Sequence, residues 1–230
     1  MNSRKFDSIN KLLIIAALLA VIPFYFIKSL DIKIVKLFTS GDEFIYAKNA
    51  LVIYIYKLIP ELTKIYVLAL ISAGLFYGII KRCPKKLSLI LSTLIILSLG
   101  SGLIVNSLLK NNWGRARPTQ IIEFGGDKNF TPVFVLSNQC ITNCSFSSGH
   151  AAAGFNFITL SYFAPTPLNF IIYLSSILLG FTVGLVRVMQ GGHFPSDVLS
   201  SAFIVILTNY LVHKYLYAKI EMIVSKILTK

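Results

Sequence analysis

An all-α integral membrane protein is the fold class this sequence predicts, and three observations predict it. The chain is 55% hydrophobic and only 13% charged, where a soluble domain carries about 25% charged residues. Its mean hydropathy is +0.74. Its apolar residues also gather into six runs that approach, with snorkelling Lys and Tyr at their ends, the roughly 20 residues a crossing helix needs. The 230 residues are expected to form one membrane-embedded domain, a bundle of six transmembrane helices.

The first run, 12–27, follows Arg4, Lys5 and Lys11 as a secretory signal would. No small-residue cleavage site follows, because the run ends Pro23-Phe-Tyr-Phe-Ile-Lys28, so a retained helix is expected. Residues 28–64 fit no clean span: Asp42-Glu43 and Lys48-Asn49 interrupt them, yet 51–59 is apolar and carries Tyr54 and Tyr56. Three readings stand for this segment: an amphipathic helix lying at the interface between spans one and two, a lid over a site, or filler between helices. The second and third runs, 65–80 and 87–109, flank the tight basic loop Lys81-Arg82-Cys83-Pro84-Lys85-Lys86. The fourth, 151–164, is interrupted by Asn156, Thr159 and Ser161; the fifth and sixth are 168–189 and 198–217. Gly180-x3-Gly184 and Gly100-x-Gly102 are expected to let helices approach closely. The organisation read from this is an N-terminal span and interfacial segment over 1–64, a five-helix catalytic core over 65–217, and a cytoplasmic tail over 218–230.

Six spans put both termini on one side, and the 81–86 loop says which. Cations concentrate on cytoplasmic loops, and this loop holds four in six residues. The basic N-terminus and the tail with Lys214, Lys219, Lys226 and Lys230 agree. That preference also accounts for much of the net charge of +13, so no nucleic-acid partner is expected. The oligomeric state is not legible.

Three polar clusters then fall on the outer face, although no span assignment required it. The first is Lys110…Arg117-Pro118; basic residues at a span end can be mere anchors, but the planar fork of Arg117 matches phosphate oxygens. Trp113 is expected in the interfacial aromatic belt. The second is Ser147-Ser148-Gly149-His150. Ser147 or Ser148 can cap the helix that follows, and its free N–H groups favour an anion beside His150. The third is Arg187…Gly191-Gly192-His193…Asp197. There the carboxylate, four residues on, can hold one ring nitrogen and leave the other free to attack; alternatively Asp197 caps the last span and pairs with Arg187. Two His and one Asp could ligate a metal, but Lys110, Arg117 and Arg187 would repel one, whereas an anion neutralises them. A haem is disfavoured because both histidines sit at span ends. His213, at the other end, is expected to be incidental. Cys140 and Cys144 lie in the outer loop, where they are either a disulfide pinning the loop before His150 or two free thiols.

Lys-x6-Arg-Pro, Ser-Gly-His and Arg-x5-His-x3-Asp, in this order, resemble the signature of the type-2 phosphatidic acid phosphatase superfamily, over about residues 75–215. The resemblance implies six helices, hydrolysis without metal or other cofactor, and a phosphohistidine intermediate. It implies that His193 is the nucleophile, Asp197 orients it, and His150 protonates the leaving oxygen. Lys110, Arg117, Ser148, Gly149 and Arg187 would hold the phosphoryl oxygens. The chain departs from the usual pattern at Ser147, where relatives have Pro, and at Val186, where they have Ser. Narrower stretches look like bacterial lipid A phosphatases, closest to the 4′ type. These are Trp113-Gly-Arg-Ala-Arg-Pro, Phe124-Gly-Gly-Asp-Lys, Cys140-x3-Cys144-Ser-Phe and Met189-Gln-Gly-Gly-His-Phe.

The expected function is therefore removal of phosphate from lipid A or a related headgroup on the periplasmic face of the inner membrane. Undecaprenyl pyrophosphate, phosphatidylglycerol phosphate and phosphatidic acid are the other substrates in view. A non-hydrolytic phospholipid-binding or transport protein is the rival from another class. A haloperoxidase shares such a site, but six apolar spans argue against a soluble oxidant enzyme. A bell-shaped pH profile is expected, with His193 neutral, His150 protonated and Asp197 drawing His193 towards its charged form.

Overall fold

A computed structural model describes residues 3–229, with side chains from residue 7 onward; the side chains of Arg4 and Lys5, and Lys230, used above for sidedness, lie outside it. The helices are α1 (Ser3–Phe26), α2 (Leu30–Lys36), α3 (Ala50–Ile80), α4 (Pro84–Asn112), α5 (Gly149–Asn156), α6 (Leu168–Met189) and α7 (Pro195–Leu228). A two-residue hairpin, β1 (Thr39–Ser40) and β2 (Glu43–Phe44), stands between α2 and α3.

Among the described residues, five helices are long and apolar enough to cross a membrane: α1 over Asp7–Phe26, then α3, α4, α6 and α7. Their outward faces carry exposed apolar side chains, such as Leu12, Leu68, Ile79, Leu108 and Leu178, as a lipid-facing surface requires. The fourth expected span is different in kind. Helix α5 is short and runs on as a 3-10 segment, Phe157–Phe163. It sits at the centre, packed on α4, α6 and α7, with Ala151, Ala152, Phe155 and Ile158 fully buried. Its polar residues are not interruptions but links to neighbours. Asn156 donates to Ser101 Oγ at 2.6 Å, and Thr159 Oγ1 lies 2.8 Å from the Tyr66 hydroxyl. A helix walled by protein needs no lipid-soluble surface, which is why hydropathy undervalues it.

The glycines of α6 serve close packing. A Cβ on Gly180 would meet the Phe155 ring at 2.1 Å, and one on Gly184 would meet Val198 at 2.2 Å. Gly102 has no such close neighbour.

Two boundaries differ from expectation. Residues 50–64 form no separate interfacial helix. They are the first turns of α3, which passes Pro60 without stopping and is capped at its start by Asn49, whose side chain accepts from Leu51 N and Val52 N. At about 1.5 Å per residue, 31 residues reach about 46 Å against a hydrocarbon core of about 30 Å. Helix α3 is therefore longer than a perpendicular crossing needs. Residues 218–228, expected as a tail, continue α7, where Ile220, Ile223, Val224 and Ile227 line a groove with Leu91, Leu94 and Ile95 of α4.

The bundle has two unlike ends. Helix α4 separates the 81–86 loop from Lys110 by its whole length. The loops that follow α4 and α6 gather at the Lys110 end, joined by α2, the hairpin and the start of α3.

Candidate active site

The loop 113–148 is long and irregular, yet backbone hydrogen bonds stitch it together: Cys144 N donates to Lys110 O at 3.0 Å, and Ser145 N to Arg115 O at 2.8 Å. Cys140 and Cys144 are joined by a disulfide, and the five-residue ring it closes contains Asn143. Asn143 is held at φ 51°. Its carbonyl accepts from Arg117 Nη2 at 2.7 Å, and its side-chain oxygen accepts from Lys110 Nζ at 3.2 Å. One residue, unanticipated from the sequence, thus sets two of the three candidate phosphate-binding cations.

The third cation, Arg187, ends α6 and is buried; its Nη1 bonds to Gln190 Oε1. Gly192 lies directly against this guanidinium, where a Cβ would sit 2.0 Å from Nη2, so a side chain there would have to push Arg187 aside. Ser148 is the N-cap of α5, its Oγ accepting from Ala151 N at 3.4 Å. Ser147, the other candidate cap, is buried, and among the described residues its hydroxyl has no partner. A Cβ on Gly149 would lie 2.4 Å from Asn106 Oδ1 and 3.4 Å from Lys110 Cε, which places the start of α5 beside the first cluster. Trp113 is partly buried and packs on Phe146, with centroids 4.8 Å apart.

His193 is buried, and its Nδ1 lies 2.7 Å from the Ser145 carbonyl. A carbonyl only accepts, so Nδ1 carries the proton and Nε2 keeps its lone pair. The Asp197 carboxylate is farther from that nitrogen, at 3.7 Å. Ser145 joins the two, since its hydroxyl donates to Asp197 Oδ2 at 2.6 Å. Asp197 also accepts from Phe194 N at 2.9 Å, closing the first turn of α7. The expected pull of Asp197 on His193 is overcome. Burial, helped by Lys110 and Arg187, takes the ring down to about 3 despite the carboxylate. His150 also falls, to about 4, through burial and the facing cations Arg187, Lys110 and Arg117.

The ion-pair partner of Asp197 is not Arg187 but Arg115. This guanidinium, fully buried, donates to Asp197 Oδ1 at 2.6 Å, to Asp31 Oδ2 at 2.7 Å, to Ser196 Oγ at 2.9 Å and, through Nε, to Thr131 O at 2.8 Å. Phe194 covers its face at 4.3 Å. Burial opposes its charge, but the two carboxylates outweigh burial and keep it protonated. Asp31, on α2, also accepts from Ser196 N and Ser196 Oγ. Neither Arg115 nor Asp31 was singled out above. The signal for Asp31 was its place in the apolar run Leu30-Asp-Ile-Lys-Ile-Val35, where an acid on the inward stripe needs a partner.

The hairpin and α3 complete the wall. Phe44 lies against Gly191, where a Cβ would sit 2.5 Å from its ring, and Gly191 adopts φ +64°. Tyr56 of α3 stacks on His150, centroids 4.6 Å apart and planes at 23°, and faces Arg187 at 4.6 Å. The three clusters therefore meet. Among the described residues, no group of three or more His, Cys, Asp or Glu side chains is arranged to hold a metal ion.

Residues 91–221 match the sequence profile of the PAP2 superfamily. The chain is 31% identical, over 90% of its own length and 96% of the relative's, to a lipid A 4′-phosphatase of Francisella tularensis subsp. novicida. It is 36% identical to a lipid A 4′-phosphatase of Rhizobium leguminosarum, over 50% of this chain and 48% of that one. It is 38% identical to a lipid A 1-phosphatase of Rhizobium etli, over 44% of this chain and 39% of that one. No solved structure matches.

Proposed function

From the premise that this chain belongs to the PAP2 superfamily, we propose that it hydrolyses a phosphate monoester of lipid A, or of a closely related headgroup, at the periplasmic face of the bacterial inner membrane. That it is a membrane phosphatase acting on lipids follows from the superfamily, the relatives and the apolar helices together. The choice of lipid A, and of the 4′ position, rests on the Francisella relative, which matches along nearly its whole length, whereas the 1-phosphatase relative matches under half of this chain.

One observation carries the mechanism: the His193 Nδ1–H donates to the Ser145 carbonyl, so Nε2 keeps a free lone pair. In the proposed reaction Nε2 attacks phosphorus. The P–O bond to the sugar breaks as the P–N bond forms, and the leaving oxygen takes a proton from His150. Water then attacks the phosphohistidine and gives its proton to the now neutral His150; inorganic phosphate and the original His193 remain. Lys110, Arg117, Arg187 and the Ser148-Gly149 turn offset charge on the equatorial oxygens, the main demand of phosphoryl transfer. The reading without metal is supported by the charge of the site, where Lys110, Arg117 and Arg187 face His150 and favour an anion.

A sixth crossing is supported by arithmetic. At about 1.5 Å per α residue and about 2.0 Å per 3-10 residue, the helical stretch 149–163 extends about 26 Å, close to a hydrocarbon core. Six crossings with the 81–86 loop inside put the Lys110 end in the periplasm.

The test is release of inorganic phosphate from vesicles containing lipid A, in EDTA, with mass spectrometry of the product to assign the position. The parent should release phosphate from the 4′ position, and His193→Ala should lower the rate by about 10³-fold or more. Release from undecaprenyl pyrophosphate, phosphatidylglycerol phosphate or phosphatidic acid but not lipid A would move the substrate within the same class. Tight lipid binding with no release by the parent would support a transporter or binding protein instead.

A further inference from the structure

The proton donor proposed above has no hydrogen bond to aim it. Among the described residues the His150 ring makes none, although a donor must meet the leaving oxygen at hydrogen-bond distance. What holds the ring is Tyr56, stacked on it at 4.6 Å. The same phenol ring faces the Arg187 guanidinium at 4.6 Å. Tyr56 lies on the stripe of α3 that faces the bundle, between Val52 and Ile59, both buried. A helix rather than a loop therefore delivers it. The segment that carries it precedes residues 91–221, so the superfamily profile does not contain it.

We propose that Tyr56 is a positioning residue for this reaction: its ring fixes the plane of His150 and seats Arg187 beside it, so proton donor and phosphate clamp keep one relation to each other. The inference rests on the phosphatase reading and on His150 as proton donor. The stack is also matched to that task. An imidazole that takes up a proton becomes a cation over an aromatic face, and the contact strengthens. Tyr56 meets His150 and Arg187 through its ring, so the proposed role uses a flat aromatic surface rather than the hydroxyl.

Leaving-group dependence separates this role from simple support of the fold. Short-chain phosphatidic acid expels an alkoxide that must be protonated; p-nitrophenyl phosphate expels a stable phenolate that need not be. In the full-length protein in detergent, Tyr56→Leu, which fills the space without an aromatic face, should lower kcat on phosphatidic acid by about tenfold or more and on p-nitrophenyl phosphate by about twofold or less. Tyr56→Phe should match the parent on both. Tyr56→Leu combined with His150→Ala should be no slower on phosphatidic acid than His150→Ala alone, because the two act as one unit. Tyr54→Ala, on the exposed side of the same helix, should match the parent. Equal losses by Tyr56→Leu on both substrates, parent-like rates on both, or additive losses in the double variant would each overturn the proposal. Absence of hydrolysis by the parent on these two substrates and on lipid A would instead remove the phosphatase reading.

Discussion

Ser145 makes the tautomer choice at His193: its carbonyl accepts a hydrogen bond from the ring Nδ1–H while its hydroxyl donates to Asp197. The sequence motif names the histidine and the aspartate but not the serine between them, because an i,i+4 spacing suggests direct contact and gives no hint of a third group arriving from 48 positions away. Arg115 was missed for a related reason. It stands two residues from Arg117 in one basic cluster, and nothing in the local sequence says that one guanidinium meets substrate-facing space and the other two buried carboxylates. Tyr56 was within reach, since Val52, Tyr56 and Ile59 fall at i, i+4 and i+7. At this scale the pH dependence also has a definite sign. In the free protein, burial and the cations hold His150 at about 4; a bound phosphate dianion offsets those cations and raises it. The basic limb of kcat should therefore lie at higher pH than that of kcat/KM, after allowing for the substrate's own titration, and His150→Ala should erase it from both. Coincident limbs would count against His150 as the donor.

Among the elements, the cross-linked loop and the central helix carry most of the site. Asn143 can serve Lys110 and Arg117 together because the Cys140–Cys144 bridge closes a short ring around it. A ring of that size contributes about 2 kcal/mol by restricting the unfolded chain. Cys140→Ser with Cys144→Ser should lower the melting temperature and raise KM more than it lowers kcat. Dithiothreitol should do the same to the parent and nothing further to the variant, and unchanged KM in both would show that Asn143 keeps its place unaided. The pattern Cys-x3-Cys was readable as a candidate bridge, though its consequence for two cations was not. Helix α5 was readable at its start, through Ser148-Gly149-His150. Its remainder was underrated because hydropathy registers lipid contact, and this helix contacts protein.

For the whole molecule, the all-helical membrane fold was legible in composition and apolar runs, and the order of the clusters was legible in the superfamily signature. The role of residues 28–64 was not, because α2, the hairpin and the first turns of α3 act through single contacts from Asp31, Phe44 and Tyr56, too sparse to form a pattern. Sidedness can be tested on the free thiol of Cys83. An impermeant maleimide should label Cys83 only in lysed spheroplasts, while Ile141→Cys in a Cys83→Ser background, 86% exposed at the other end of the bundle, should be labelled with the inner membrane intact. The reverse pattern would invert the topology. The Arg115 knot has a practical corollary. Anyone trimming this chain to its recognisable portion, residues 91–221, would discard Asp31 and leave a guanidinium in the dry interior with half its counter-charge, so the smallest working unit has to include the opening helices.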